Sequence, residues 1–522
     1  MISDFCLTFR KKIRRHNNPK FIYLVTQDYY YQRILITAIK ANLDKYPQSE
    51  HLLLPQFGIR NREEAKSRYP ILLKKIQLFL KFIYSECALS KLHVKEITQD
   101  PSLHGVKLKV VSTKLWVYFY LTRRFISSYK NIVKDPLLFI NHFEINGIYC
   151  GDLIADSFIR YHIKDRVDLT DKSIPELIGR SKALIAITNH ITNGSKGYFY
   201  GQYSTYTHHG IPLRVAFKAG WECVTFASAT AFFKIHSHFH LPKSNYVPSH
   251  VANHNLYTVE EACQLPESIL LKAERALESR VSGTYDSLAY MRNREFKNIS
   301  EADSQYIRDS VVLMMHNFND SAHAYAWCLF PDFWSWVVET IEFCIENQIN
   351  LCLKPHPNEG KSPSRQTQKL LSIYPESRCV HWLSNNLTNY SLFQSRPKLV
   401  TSIYGSIAAE CAFQRVPILL CGDHPCVNFD IGWTARTKQE YFDKLKNPPS
   451  NEMKINKKHA IYFTAMHFKN AFSGEGDSLR NKFKLDLSNA KAVKAELNSE
   501  KASAYIDSQV NRLTSELFQK RT

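Results

Sequence analysis

Three polar clusters in one stretch can do chemistry together. The first is Lys354-Pro355-His356-Pro357. The second is Thr401-Ser402-Ile403-Tyr404-Gly405-Ser406, with Glu410 one turn further on. The third is Gly422-Asp423-His424-Pro425. Together they supply an ammonium, two imidazoles, several hydroxyls and glycine-backed amides, a set suited to a phosphate-bearing ligand. Two prolines fix the loop at His356 and aim it off the element before it. Gly405 permits close backbone approach, and a helix opening near Ile407 would turn its first amides toward an anion. Glu410 can accept bonds from ribose hydroxyls, or be a solvated carboxylate beside an ordinary capping cluster. His424 is as readily structural as functional.

The elements that position these clusters are short apolar runs. Asn350–Leu353, Lys398–Val400 and Val416–Cys421 each end in one cluster, and helical stretches alternate with them. That alternation predicts βαβ units and a parallel sheet. Ligands of such sheets bind beyond the carboxyl ends of the strands, so the three clusters should share one rim. Val311–Met315 predicts the strand that opens this half, ending in a loop with His316, Asp320 and His323. A helix rich in Trp and Phe should follow over Phe333–Glu346.

The N-terminal half reads similarly. Phe21–Thr26 predicts a buried strand, about Tyr30–Leu43 a helix, and Lys182–Thr188 and Glu222–Phe226 further strands. Glu267–Val281 predicts a helix stopped by Gly283. Leu72, Ile76, Phe79, Leu80 and Ile83 follow helical spacing, with Lys74, Lys75 and Lys81 opposite. Leu115–Leu121 is a core segment before Arg123-Arg124, with a membrane anchor as the other reading. Asp152 and Asp156 stand four apart, on one helix face if Asp152 opens a helix. The bland alternative makes Asp152 an N-cap. Arg292–Asp309 reads as a loose connection between halves, and Lys491–Lys520 as a polar helix or helix pair packing across the junction.

At 522 residues the chain exceeds a single core. Its 44% hydrophobic and 22% charged content fits a folded protein. The net charge of +20 predicts an anionic partner: nucleic acid, anionic lipid or a phosphorylated substrate. Arg10, Lys11, Lys12, Arg14, Arg15 and Lys20 are a solvated terminus or a contact for an anionic membrane surface. The first residues lack the order of a secretory signal. No apolar run approaches the ~18–20 residues that span a bilayer. The 12 cysteines form no CxxC pair and read as reduced, buried thiols, so no metal site is expected. Walker, GxGxxG, GxSxG, HExxH and kinase patterns are missing from the sequence.

The clusters at 354–357, 402–410 and 422–425 resemble the donor half of bacterial capsule and surface polysaccharide glycosyltransferases. These are the GT-B enzymes that include the Kdo transferases and, more remotely, bacterial sialyltransferases. Gly151-Asp-Leu-Ile-Ala-Asp156 with Arg160 resembles that family's GDLIYD segment, with Ala155 in place of Tyr. His209-Gly-Ile-Pro-Leu-Arg-Val-Ala216, with His208 before it, is similar to its acceptor-side segment. Arg280-Val-Ser-Gly283, followed by Tyr290-Met291, resembles its helix-to-linker segment. His316-Asn-Phe-Asn-Asp320 and His323 match the loop opening its second domain.

The resemblance implies an α/β protein of GT-B type, with two Rossmann-like domains facing a central cleft and C-terminal helices. The domains would span 1–300 (acceptor), 301–475 (donor) and 476–522 (junction helices). It implies transfer of Kdo or a nonulosonic acid from a CMP-activated donor to a glycan or glycolipid acceptor of capsule or lipopolysaccharide, with no metal or other cofactor. The place would be cytoplasmic, peripheral on the inner face of the cytoplasmic membrane. Asp152 would be the catalytic carboxylate, as general base or nucleophile, with inverting and retaining chemistry both open. Lys354, His356, Ser402, Gly405, Ser406, Glu410 and His424 would bind the donor, with His356 and Ser406 on the phosphate and Glu410 on the ribose. Asp156, His208, His209, Arg214, His316, Asp320 and His323 would serve the acceptor side or be secondary. The alternatives are a CDP-polyol phosphotransferase of teichoic-acid type and a basic nucleic-acid-binding protein, for which the charge speaks but no binding module does.

Overall fold

The computed structural model describes residues 19–25, 29–55, 94–112, 134–202, 204–226, 235–236, 258–284, 296–324, 328–359, 364–423, 426–449, 455–468, 483 and 495–508. The basic cluster at 10–15, the amphipathic stretch at 72–83, the run at 115–121, and His424-Pro425 lie outside them.

The first sheet is built from β1 (Lys20–Val25), β2 (His51–Pro55), β3 (Leu108–Val110), β6 (Gly197–Gly201), β7 (Glu222–Phe226) and β8 (Ile235–His236). A separate hairpin, β4 (Glu144–Ile145) with β5 (Ile148–Tyr149), turns at Asn146-Gly147. The strand order is β3-β2-β1-β6-β7-β8, parallel except for β8. Strand β1 shows why both faces are covered. Ile22 and Leu24 point into one core with α2 (Pro136–His142), α3 (Gly151–His162), α4 (Ser173–Thr192) and α5 (Ile211–Lys218). Phe21, Tyr23 and Val25 point into the other, with α1 (Tyr29–Lys45). Side chains alternate along a strand, so a parallel sheet buried on both faces reads as one apolar run.

The run Lys182–Thr188 is not a strand; it is the middle of α4. Ala183, Leu184, Ile185 and Ile187 are all buried because α4 lies between α3 and α5. A helix covered on several sides shows no polar face, so its sequence cannot be told from a buried strand by period. The fourth strand of the sheet is Gly197–Gly201 instead.

Helices α6 (Val259–Cys263), α7 (Glu267–Ser282) and α8 (Glu301–Arg308) lead to the second sheet. The expected loose connection at 292–309 thus contains a helix, α8, opened by a Ser300 cap on the Asp303 amide. The strands are β9 (Val311–Met314), β10 (Leu351–Lys354), β11 (Val380–Trp382), β12 (Leu399–Ser402), β13 (Ile418–Leu420) and β14 (Trp433–Thr434), in the order β11-β10-β9-β12-β13-β14, all parallel. Between them run α9 (Phe333–Glu346), α10 (Arg365–Ile373), α11 (Asn389–Gln394) and α12 (Ile407–Phe413). Helices α13 (Lys438–Lys446) and α14 (Lys457–His467) follow.

Counted within each half, both sheets have the order 3-2-1-4-5-6, that of a Rossmann-like domain. Val311, Leu313 and Leu351 pack under α9 and α13, while Val312, Cys352 and Val400 pack under α6, α7, α12 and α14. Helices α6 and α7, N-terminal to residue 301, therefore sit in the second core. The chain returns at its other end: the helical residues 495–508 place Leu497 and Ile506 in the first core, and Arg33 and Thr37 bond Ser503 and Asp507. Among the described residues no helix is long and apolar enough to cross a membrane, and all ten described cysteines are free thiols.

Candidate active site

In a sheet of order 3-2-1-4-5-6 the connections leave strands 1 and 4 in opposite directions, opening a crevice at their carboxyl ends. In the second sheet these are β9 and β12, with β10 beside β9. Met314, Met315 and His316 at the end of β9, Lys354 to Pro357 at β10, and Ser402, Tyr404, Gly405 and Ser406 at β12 line one cavity of about 190 Å³. Arg280, Asn389, Ile407 and Glu410 complete its wall. Six of the seven expected donor residues are thus brought together.

Burial grades the cavity. Ser402, Lys354 and Glu410 form a floor, at 1%, 3% and 5% exposure, whereas Ser406 at the rim is exposed. The Lys354 ammonium donates to Asn389 Oδ1 at 3.0 Å, and Asn389 Nδ2 donates to Glu410 Oε2 at 2.7 Å. Burial pushes the Lys354 pKa down to about 8, with Glu410 opposing. Ser402 Oγ lies 3.1 Å from His316 Nε2, and the His316 ring stacks on Phe333 with centroids 4.4 Å apart. Gly405 has φ of +128°, a conformation open to glycine, which lets the loop turn tightly above His316. His316, expected as an acceptor-side or secondary residue, lines this cavity.

Asp152 is in the first domain. The Asn146-Gly147 turn reverses the chain with both residues at positive φ, 54° and 71°, the requirement of a tight hairpin. Helix α3 then starts so close to α2 that a Cβ on Gly151 would stand 2.0 Å from the Phe139 carbonyl oxygen. Asp152 is not the N-cap, which is Cys150; it lies within the first turn and is buried. Arg214 of α5 grips it through both nitrogens, at 2.7 and 2.5 Å, and also donates to Tyr149 O at 2.8 Å. Arg214 is thereby the partner of Asp152.

Asp156 and Arg160 follow on the same face of α3, and both meet the loop after β9. Asp156 accepts from Ser321 Oγ and faces His323 Nδ1 at 2.7 Å. Arg160 donates to Asn319 O and Asp320 at 3.1 Å each. Burial disfavours charge on His323, but Asp156, with Asp152 and Asp332 behind it, outweighs burial and raises its pKa. The Tyr404 hydroxyl, from the wall of this cavity, donates to Ser321 O at 2.5 Å. One chain of contacts thus runs from the cavity through Ser321 to the helix that carries Asp152. The carboxyl ends of the second sheet face the first domain. The architecture is GT-B.

His208 and His209 lie on the segment between β6 and α5. Both are buried in a π-helical turn, with His208 Nε2 3.2 Å from the Tyr161 hydroxyl. Burial pushes His209 down to about 3, and burial, His209 and Arg180 lower His208, so both are neutral core residues. A larger cavity of about 390 Å³ lies at the domain junction, but its Asp165 is already paired with Arg365 and Lys369, which makes it a seam between domains. Among the described residues no group of three His, Cys, Asp or Glu is placed to hold a metal ion.

Arg280, Asn389 and Tyr404 went unassigned in the sequence. Arg280 carried two signals, its place a turn before the helix stop at Gly283 and the resemblance of that segment to the family's helix-to-linker segment; Asn389 carried none.

No protein-family model matches the chain, and no curated protein does. Among solved structures it is similar to a beta Kdo 2,4 transferase, KpsC of Thermosulfurimonas dismutans. Identity is 11%, coverage 51% of this chain and 78% of that one, and the TM-score 0.34. The beta Kdo 2,7 transferase of the same KpsC gives 13%, 59%, 85% and 0.30. S. aureus MnaA, solved with UDP, gives 10%, 87%, 96% and 0.26. The strand order, not these values, establishes the fold.

Proposed function

We propose that the chain is a glycosyltransferase of surface polysaccharide assembly, taking an acidic sugar such as Kdo or a nonulosonic acid from a CMP-linked donor. The observation that carries this reading is the cavity at the switch point of the second sheet, where Lys354, His356, Ser402, Ser406 and Glu410 converge opposite a carboxylate-bearing helix of the first domain. The quoted resemblance supplies the nucleotide and sugar class. The +20 charge suits a glycan acceptor held at an anionic membrane surface.

In the reaction the anomeric C–O bond breaks and its electron pair stays on the phosphate oxygen of CMP. The acceptor hydroxyl oxygen forms the new bond and its proton passes to a base. Asp152 is the catalytic carboxylate in this scheme, and Arg214 positions it. Acting as a base gives one anomeric configuration; attacking the anomeric carbon first gives the other.

The test is a thermal-shift series with CMP, CDP, UDP and GDP, since a ligand of the folded state raises its stability. It is followed by assays of CMP release from CMP-Kdo and CMP-sialic acid. Stabilisation by CMP with release of CMP supports the reading. Turnover of CDP-glycerol alone replaces it with polyol-phosphate transfer. Micromolar nucleic-acid binding at physiological salt without nucleotide binding replaces the enzyme altogether.

A further inference from the structure

The resemblance puts His356 and Ser406 on the phosphate with Lys354 among the donor residues, but the structure sets the Lys354 ammonium deep in the cavity and ties it to Asn389. The rim carries a different cation. Arg280, in the last turn of α7, donates from Nη2 to Ser406 Oγ at 2.6 Å, and its Nε lies 3.4 Å from Glu410 Oε1. Its side chain is 12% exposed. A fixed helix delivers it: Leu277 and Val281 are buried in the second core, and Gly283, at φ of 72°, ends the helix just beyond.

We propose that Arg280 is the phosphate ligand of the nucleotide donor, acting with Ser406, and that Glu410 is a positioning residue rather than a ribose contact. The proposal rests on the donor-site reading above. Three observations carry it. The first is place. The transferred group must sit where an acceptor can reach it, and Ser406 is exposed at the rim while Lys354 is not. The second is chemistry. A guanidinium keeps its charge at any working pH and matches two phosphate oxygens with its planar fork. The buried ammonium, with a pKa of about 8, loses charge just above neutrality. The third is the geometry of Glu410. Its Oε2 accepts from Asn389, and its Oε1 faces both Arg280 and Ser406 Oγ, the latter at 3.4 Å. One carboxylate thus sets the positions of the rim cation, the rim hydroxyl and the amide that holds Lys354. The ligand class is a nucleoside mono- or diphosphate with its phosphate at the rim and its base inside.

Isothermal titration of the full chain with CMP against cytidine, and UDP against uridine, tests this at pH 7. In the wild-type chain the phosphate should strengthen binding by roughly 10- to 100-fold over the nucleoside, the range for charge-assisted hydrogen bonds. Arg280→Ala should erase most of that ratio and leave nucleoside affinity unchanged. Arg280→Lys, which keeps charge and loses the fork, should fall between, and it carries the test if the alanine variant does not fold. Glu410→Gln should weaken the same ratio. If CMP binds equally to wild type and Arg280→Ala, Arg280 is not the ligand and the donor reading stands. If the uridine series binds instead, with the same dependence on Arg280, the CMP reading fails and this assignment stands. Absence of all nucleotide binding by the wild-type chain overturns both.

Discussion

Asp156 and His323 meet across the domain junction, with 2.7 Å between Oδ1 and Nδ1 and both side chains almost fully buried. Asp156 comes from the helix bearing Asp152, and His323 from the loop that leaves the first strand of the second sheet. The pair fixes how the two halves of the site face one another.

That pair predicts a pH dependence. Burial opposes the charge on His323, and Asp156 overrides it, so the folded pKa lies above the unfolded value of ~6.5. A raised folded pKa stabilises the native state fully below the unfolded value and loses that contribution as pH rises through the folded one. Melting temperature should therefore fall as pH rises above the unfolded value, ~6.5. His323→Gln should flatten this component and lower stability by about 3 kcal/mol, the scale of a broken buried pair. An unchanged pH profile in that variant would remove His323 as the titrating group.

The Asp152–Arg214 pair makes a different prediction. Asp152→Asn should abolish transfer while CMP affinity stays within about threefold, since the Asp152 carboxylate is held by Arg214 in the first domain. It leaves the buried Arg214 charge uncompensated, at a cost of about 3–5 kcal/mol. His356→Ala should do the reverse, weakening CMP binding by roughly tenfold, about 1.4 kcal/mol, with the fold unaffected. Calorimetry beside a transfer assay separates the two, and wild-type turnover by Asp152→Asn would end the catalytic assignment.

Lys354 should be visible in the alkaline range. Its depressed pKa of about 8 means the unfolded chain binds more protons between pH ~8 and ~10.5, so its contribution to stability rises with pH across that window. Nucleotide affinity should move the opposite way, declining from pH 7 to 9 as the floor loses charge. Lys354→Met should bind more weakly and show a flatter affinity profile over that range.

Gly151 is a steric requirement. A methyl group there would stand 2.0 Å from the Phe139 carbonyl oxygen and 2.9 Å from its carbon, so α2 or α3 must move. Gly151→Ala should destabilise by about 1–3 kcal/mol or more, as overpacking does. It should also reduce turnover by displacing Asp152, measured by chemical denaturation and by the transfer assay.

The second sheet and its loop clusters were legible in the sequence because a parallel strand buried on both faces is a short apolar run, and its loop follows directly. Leu351–Lys354 with its Pro-His-Pro loop, and Leu399–Ser402 with Gly405 and Ser406, needed only local spacing to be read. The paired carboxylates of α3 were legible for the same reason, since four residues are one helical turn. Tertiary structure decided the rest. The buried run of α4 has no period to betray it. His316 joins the donor cavity because β9 lies between β10 and β12, an order no single segment encodes. Arg280 reaches Ser406 across 126 positions of chain, and Asp156 reaches His323 across 167. Such contacts depend on which helix packs on which face of which sheet, and that is settled by burial summed over whole cores rather than by any local stretch.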